Sequence, residues 1–308
     1  MRVDKSTFKI RAGPSGLFFF NRATGLNILF DEIDVPATSW ALAPRQVSIA
    51  LTNACDLACS YCYAPKTRAS LSFDNVTSWL EDLDASGTCG VGFGGGEPTL
   101  YPRFAELCAI TCRATRLAVT FTTHGHRLGD GLLNALAGNV HFIRVSMDGI
   151  GATYERLRHR SFKAFVQQLK AIKAIAQFGI NYVVNSETLP DLCAATVFAE
   201  SVGASEFLLL PEQSVNGEGG IDNNTAQALR AWVARYRGRV PLAVSEKGAE
   251  GLPTCNPFRS ETGLRAYAHV DAHGILKRTS YTNEGIAIGA NGIMSAFEQL
   301  QHQTNTRS

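Results

Sequence analysis

Leu51-Thr-Asn-Ala-Cys55-Asp-Leu-Ala-Cys59-Ser-Tyr-Cys62-Tyr-Ala-Pro65 directly follows the β-branched, apolar run Gln46 to Leu51, so its three cysteines are predicted to lie on a loop at the carboxyl end of a strand. Barrel and open-sheet enzymes place their sites at that end. Three thiols are one short of a closed structural zinc site or an ordinary cubane iron–sulfur cluster, each of which takes four protein ligands. The spacing therefore points to a metal centre that keeps one coordination position for another ligand.

Outward from this loop, short apolar runs recur at Gln46 to Leu51, Gly90 to Phe93, Leu117 to Thr122, Val140 to Val145, Ile180 to Val184 and Phe207 to Leu210. Between them, helical apolar spacing covers Asp74 to Ala85, Phe104 to Ala114, Asp130 to Ala137, Phe162 to Phe178 and Leu192 to Ser201, with a further helix at Asn223 to Arg237. Six strands alternating with helices predict parallel βα units in an α/β fold. Asp74 is the expected N-cap of the first helix, and Pro102 suits a first helical turn. Gly179 and Gly203 stand where helices should end. Gly217 to Gly220 reads as a flexible or ligand-facing loop.

Two pieces fall outside the alternation. In residues 1–45, Gly16 to Phe20 and Leu26 to Phe30 read as a hairpin turning at Asn21 to Gly25, apolar enough to cover a barrel edge or a partner peptide. In residues 246–308, Leu264 to Asp271 and Gly274 to Ser280 form a second expected hairpin, turning at Ala272-His-Gly274. A short helix from about Asn291 to Gln301 and a disordered tail from about Gln303 follow. Residues 46–245 are left as the main domain.

The composition is that of a globular protein, with 308 residues, 45% apolar and 18% charged. A formal charge of +2 gives no electrostatic case for nucleic acid. No apolar run reaches the roughly 18 residues of a membrane span. The start, Met1 to Lys9, lacks the apolar stretch of a signal peptide, so a cytoplasmic location is expected, with the eight cysteines as thiols and ligands rather than disulfides.

Cys-x3-Cys-x2-Cys with Tyr61 directly before the last cysteine resembles the signature of the radical S-adenosylmethionine (SAM) superfamily. After the second strand, Gly94-Gly95-Gly96-Glu97-Pro98-Thr99 is similar to that family's Gly-Gly-Glu-Pro element. Thr122-Thr123-His124-Gly125 is close to its Thr-Thr-Asn-Gly, with His124 in place of the usual Asn. Val145-Ser146-Met-Asp148-Gly149 is similar to its Ser-x-Asp-Gly stretch, Tyr154 to Arg158 to its Arg-bearing loop, and Asn185 ends the fifth strand.

The resemblance covers about residues 46 to 212 and implies a partial (β/α)6 TIM-like barrel. It implies that Cys55, Cys59 and Cys62 hold one 4Fe–4S cluster whose fourth iron chelates S-adenosyl-L-methionine. Glu97 would accept the methionyl amine, Ser146 would contact the ribose or carboxylate, and Arg158 would pair with the carboxylate. Reductive cleavage would then deliver a 5′-deoxyadenosyl radical to a substrate, with an electron donor such as flavodoxin or ferredoxin as partner. The glycines let the backbone approach a ligand closely, and the protein's part is to bind, orient and shield.

Cys255-Asn-Pro-Phe258, the Ala268 to Arg278 hairpin, Gly289-Ala-Asn-Gly292 and the final helix follow the outline of the SPASM or twitch extension of peptide-modifying members. Lys277-Arg278 stand where its second cysteine would fall, so a single cluster is expected. Cys89, Cys108, Cys112 and Cys193 read as packing residues, while Cys255 is a candidate hydrogen donor. Three functions stay open: modification of a ribosomally made peptide; a small-molecule substrate bound by Lys247, Arg259, Arg265, Lys277 and Arg278 if it carries phosphate; and a non-catalytic metal-binding protein.

Overall fold

The computed structural model describes residues 8–214, 219–245 and 248–305. An N-terminal antiparallel sheet, β1 (Lys9–Gly13), β2 (Gly16–Phe20) and β3 (Asn27–Phe30), precedes the main body. The body alternates β4 (Gln46–Thr52), α1 (Phe73–Ala85), β5 (Gly90–Gly95), α2 (Phe104–Ala114), β6 (Ala118–Thr123), α3 (Asp130–Leu136), β7 (Phe142–Ser146), α4 (Ala152–Arg158), α5 (Phe162–Ile175), β8 (Gln177–Val184), α6 (Leu192–Val202), β9 (Glu206–Pro211), α7 (Asn223–Arg235) and β10 (Leu242–Val244). The chain closes with β11 (Tyr267–Val270), β12 (Ile275–Lys277), β13 (Ile286–Ala287) and α8 (Gly292–Asn305).

One ten-stranded sheet runs β10-β9-β8-β7-β6-β5-β4-β11-β12-β13. It is parallel from β10 through β11, with β12 and β13 antiparallel at one edge. The six expected strands form its middle. The structure adds β10 on one side and, on the other, pairs β11 in parallel with β4. The sheet ends in two edges and does not close into a barrel, which is the partial-barrel class expected.

Alternation along each strand divides the sheet into two faces. Val47, Ile49, Leu51, Val91, Phe93, Ile143 and Val145 are buried with helix residues Val76, Leu80, Leu107, Phe165 and Leu169 in one core. Each such side chain contributes about 1.5–3 kcal/mol when fully buried. The opposite face carries Ser48, Gly92, Thr120, Arg144 and Asn181, which leaves a polar concave surface above the strands. The final helix joins the same core through Ile293, Phe297 and Leu300, so the last segment is packed as part of the body.

The apolar hairpin is seen as β2 and β3, and β1 extends it to three strands. Its inward face is anchored by cations. Lys9 pairs with Asp84, and the buried Arg11 donates to Glu261 at 3.0 Å and to the carbonyls of Ala43 and Gly87 at 2.9 Å. These partners sit at the amino ends of β4 and β5, so the small sheet covers the end of the body opposite the cysteine loop.

Several local expectations are corrected. Ser72 rather than Asp74 occupies the N-cap of α1. Pro102 lies outside α2, whose N-cap is Arg103 at φ 62°. Gly179 does not end a helix: α5 stops at Ile175, and Gly179 is the third residue of β8, where a Cβ would meet the Phe142 ring at 2.9 Å. The Arg-bearing loop is a helix, α4, too short at seven residues for a periodic signal. Helix α8 continues to Asn305, through residues expected in a disordered tail. Residues 217 and 218 of the expected loop, Lys247 and tail residues 306–308 lie outside the described residues.

Candidate active site

The cysteine loop begins as β4 ends, and its position is set by backbone contact with the next strand. Gly96 N donates to Thr52 O and Glu97 N to Ala54 O, both at 2.7 Å. A Cβ on Gly95 would lie 2.2 Å from Thr52 O, and one on Gly96 2.2 Å from Ala54 O; Gly95 also holds φ +122°. These two glycines are required because the end of β5 presses on the chain that leads into Cys55. The sequence reading assigned their closeness to a ligand; in the structure it is to the cysteine loop. Gly94 has nothing within 4 Å of an added Cβ, so open space does adjoin this strand end.

Glu97 is 1% exposed and stands at the centre of this junction. Its Oε1 accepts from Thr99 N (3.2 Å), Thr99 Oγ (2.7 Å) and Thr123 Oγ (2.8 Å), and Oε2 accepts from His124 N (3.0 Å). It caps the short turn Pro98–Leu100, in which Pro98 is buried. The carboxylate thereby couples the ends of β5 and β6.

A second buried cluster reaches the loop from the other side. Asp148, 0% exposed after β7, accepts from Tyr61 OH at 2.6 Å, from Val183 N at 2.8 Å and from Arg158 at the end of α4. Burial works to lower the Arg158 pKa, but Asp148 and Tyr61 outweigh it and raise the value, so the guanidinium is charged. Arg158 Nε is buried with no hydrogen-bond partner among the described residues. An orphaned guanidinium N–H calls for an acceptor, and a carboxylate suits it.

The remaining expected site residues are less convergent. Ser146 ends β7 in register with Asn181. Asn185 is engaged locally: its Oδ1 accepts from the amides of Glu187 and Thr188 at 3.0 Å, and its Nδ2 donates to Glu212 at 2.7 Å. Cys255 is exposed, three residues before Phe258, which packs on Phe18 and Arg45 beside the N-terminal sheet.

The sequence leaves the role of His124 open and reads His126 as a polar loop residue; the structure gives both partners, with His124 Nε2 2.9 Å from Asp56 Oδ1 and His126 Nε2 2.7 Å from Tyr154 OH. Burial first, with His124 and nearby arginines adding to it, pushes the His126 ring down to about 4, so it is neutral at pH 7. On the concave face Ser48 Oγ meets both Tyr267 OH (2.5 Å) and His269 Nδ1 (2.6 Å). This last group was not named from the sequence, where its one signal is the Ser48 hydroxyl inside the apolar run Gln46 to Leu51.

Cys55 and Cys62 are exposed and Cys59 buried. Burial, with Glu97 and Cys62 acting in the same sense against a bond from Leu57 N, raises the Cys55 thiol, so a thiolate there needs the charge of a metal. Among the described residues the set of three donor atoms within 4.8 Å of one another is Cys55, Asp56 and His124, not the three cysteines. One ion bound by three thiolates at about 2.3 Å each would draw the sulfurs within about 4.6 Å. Thiols spread more widely than that suit a cluster, in which each sulfur takes its own iron.

A model of the radical SAM superfamily matches residues 49–190, the span from β4 through the turn after β8. The chain carries a radical SAM superfamily domain. Such a domain works with a 4Fe–4S cluster and S-adenosylmethionine, and the spread thiols, the open end of β5 and the orphaned Arg158 N–H fit that pair. Among curated relatives, the sporulation killing factor maturation protein SkfB of Bacillus subtilis is 28% identical over 189 residues, 60% of this chain and 44% of SkfB. The mycofactocin maturase MftC of Mycobacterium ulcerans is 28% identical over 172 residues, 53% of this chain and 46% of MftC. The chain thus spans about half the length of these relatives. The crystal structure of Streptococcus suis SuiB bound to its precursor peptide SuiA superposes with a TM-score of 0.73 at 13% identity, over 96% of this chain and 88% of SuiB. No helix among the described residues is long and apolar enough to cross a membrane.

Proposed function

We propose that the chain is a radical SAM enzyme that modifies a ribosomally made peptide, from a cytoplasmic location. The observation that carries the peptide reading is the reach of the fold likeness. It runs over 96% of the chain onto a structure holding a precursor peptide, and so takes in the N-terminal sheet and the C-terminal hairpin as well as the radical SAM domain. SkfB and MftC, a maturation protein and a maturase by name, favour the same reading.

When bound, the cluster and S-adenosylmethionine supply one-electron cleavage of the sulfonium and a carbon radical for hydrogen abstraction. In this reading Cys55, Cys59 and Cys62 hold the irons and Tyr61, through Asp148, fixes the loop. Glu97 with Thr123 receives the amine, Arg158 the carboxylate, and Ser146 and Asn185 lie at the rim. The C-terminal segment is read as a SPASM or twitch-like extension without an auxiliary cluster.

A phosphate-bearing small molecule is the weaker alternative, because the cations it would need are dispersed. Lys277 pairs with Asp271 at 2.7 Å, Arg278 donates to Leu300 O, and Arg265 lies over Trp40 at the amino end of β11. Anaerobic reconstitution is expected to give about four irons per chain, with dithionite-dependent 5′-deoxyadenosine formation. Incubation with a short precursor encoded beside the chain should change that peptide's mass. Roughly eight irons per chain would overturn the single cluster. Deoxyadenosine without a mass change would favour a small molecule, and zinc in place of iron a non-catalytic site.

The electron donor is read as an acidic carrier of the flavodoxin or ferredoxin kind. A groove of about 590 Å³ beside Cys55 is lined by Lys66 and Arg68, both exposed and outside any ion pair among the described residues. Opposite charge at such a surface speeds association in a salt-dependent way. Reversing both charges, Lys66→Glu with Arg68→Glu, is expected to slow cluster reduction by flavodoxin about tenfold at low salt. Reduction by dithionite should not change, and an equal rate with flavodoxin would remove this surface from the docking site.

A further inference from the structure

His124 occupies the position where the family's Thr-Thr-Asn-Gly stretch has Asn, and the structure gives its ring a definite task. The ring is 4% exposed. Its Nδ1 accepts from His126 N at 3.1 Å, so Nδ1 carries no proton and the hydrogen of the ring sits on Nε2. That N–H meets Asp56 Oδ1 at 2.9 Å, with Glu97 Oε2 3.3 Å from the same nitrogen. The backbone N–H of the same residue donates to Glu97 Oε2 at 3.0 Å. One residue at the end of β6 therefore grips both the carboxylate at the end of β5 and the residue that follows Cys55.

Asp56 also has two cationic neighbours, Arg127 at 3.5 Å and Arg160 at 3.4 Å, the latter also donating to Asp56 O at 3.1 Å. Their side chains are 44% and 37% exposed. Exposed pairs of that length are screened by water and contribute little. A buried ring with its tautomer fixed by a backbone amide is the more rigid tie.

We propose that His124 is a positioning residue, whose Nε2–H ties Asp56 of the cysteine loop to Glu97 and so sets the distance between the cluster and the group that receives the cofactor's amine. The inference rests on the reading of Glu97 as that group. A ligand that must meet an iron and Glu97 at once is bound tightly only if those two are held in register. An Asn at this position would keep the backbone bond to Glu97, but its shorter side chain would not span to Asp56. A Gln amide nitrogen takes roughly the place of Nε2.

The test compares His124→Asn with His124→Gln. In the metal-free protein, nitrogen NMR of the histidine rings should show His124 protonated on Nε2 alone; a proton on Nδ1 would overturn the proposal whatever the protein binds. In the reconstituted protein, S-adenosylmethionine binding by equilibrium dialysis should weaken about ten- to a hundredfold in His124→Asn, the range for lost supporting partners at metal sites, and recover most of that in His124→Gln. Iron content should be equal in all three. Wild-type affinity in His124→Asn, or equal loss in both variants, would overturn the role. Absence of binding by the wild type would instead overturn the reading of Glu97, leaving the ring assignment to stand or fall on the NMR result.

Discussion

Asp148→Ala is expected to lower the unfolding free energy by about 3–5 kcal/mol, the largest stability effect of any single substitution at the site. The carboxylate is fully buried and accepts from Tyr61, Arg158 and Val183 N. Removing it leaves the Arg158 guanidinium, whose side chain is only 10% exposed, without its counter-ion. The cost is that of a stranded buried charge rather than of one lost bond. The shift should appear as a lower urea midpoint at unchanged slope. Adding Arg158→Met should restore part of the loss, because the two changes act on one pair and are not additive. A shift below about 1 kcal/mol would mean that the pair is hydrated and that Asp148 does not clamp the loop.

Alanine at any one of Cys55, Cys59 or Cys62 is expected to abolish reductive cleavage of S-adenosylmethionine and to strip iron from the reconstituted protein. In this reading each thiolate holds its own iron, and Asp56 and His124, the ligand types nearest Cys55 among the described residues, are bonded to each other rather than free to take its place. The loss is separable from unfolding at the two exposed positions, Cys55 and Cys62, where truncation should cost within about 0.5 kcal/mol. Melting curves of the metal-free variants provide that control. Any variant that still cleaves the cofactor would remove its residue from the ligand set.

Much of this architecture is legible in the chain because the signals are local. A buried parallel strand needs a short β-branched run, and its helix needs apolar residues at helical spacing; β4 to β9 and most of the intervening helices answer to those rules. The cysteine triplet and Gly95-Gly96-Glu97 are recognisable by residue type and spacing, although what the glycines approach is not. Strands β1 and β10 and helix α4 escaped notice because each is short and takes its stability from neighbours distant in sequence. Gly179 was misread for a related reason: a glycine after a helix looks like a cap until Phe142, 37 positions earlier, is found packed over it.

The sequence by itself determined at which strand ends the three cysteines and the glycine run lie and to which superfamily the domain belongs, since cysteine spacing, glycine placement and strand periodicity are properties of neighbours in the chain. Only the tertiary structure decided what holds those atoms in place. The glycines serve the approach of β5 to the cysteine loop, Asp148 binds Tyr61 from 87 positions away, and His124 reaches Asp56 across 68. Such contacts are set by strand register and by the burial of polar groups that must find partners, and nothing in the local pattern of either residue specifies the other.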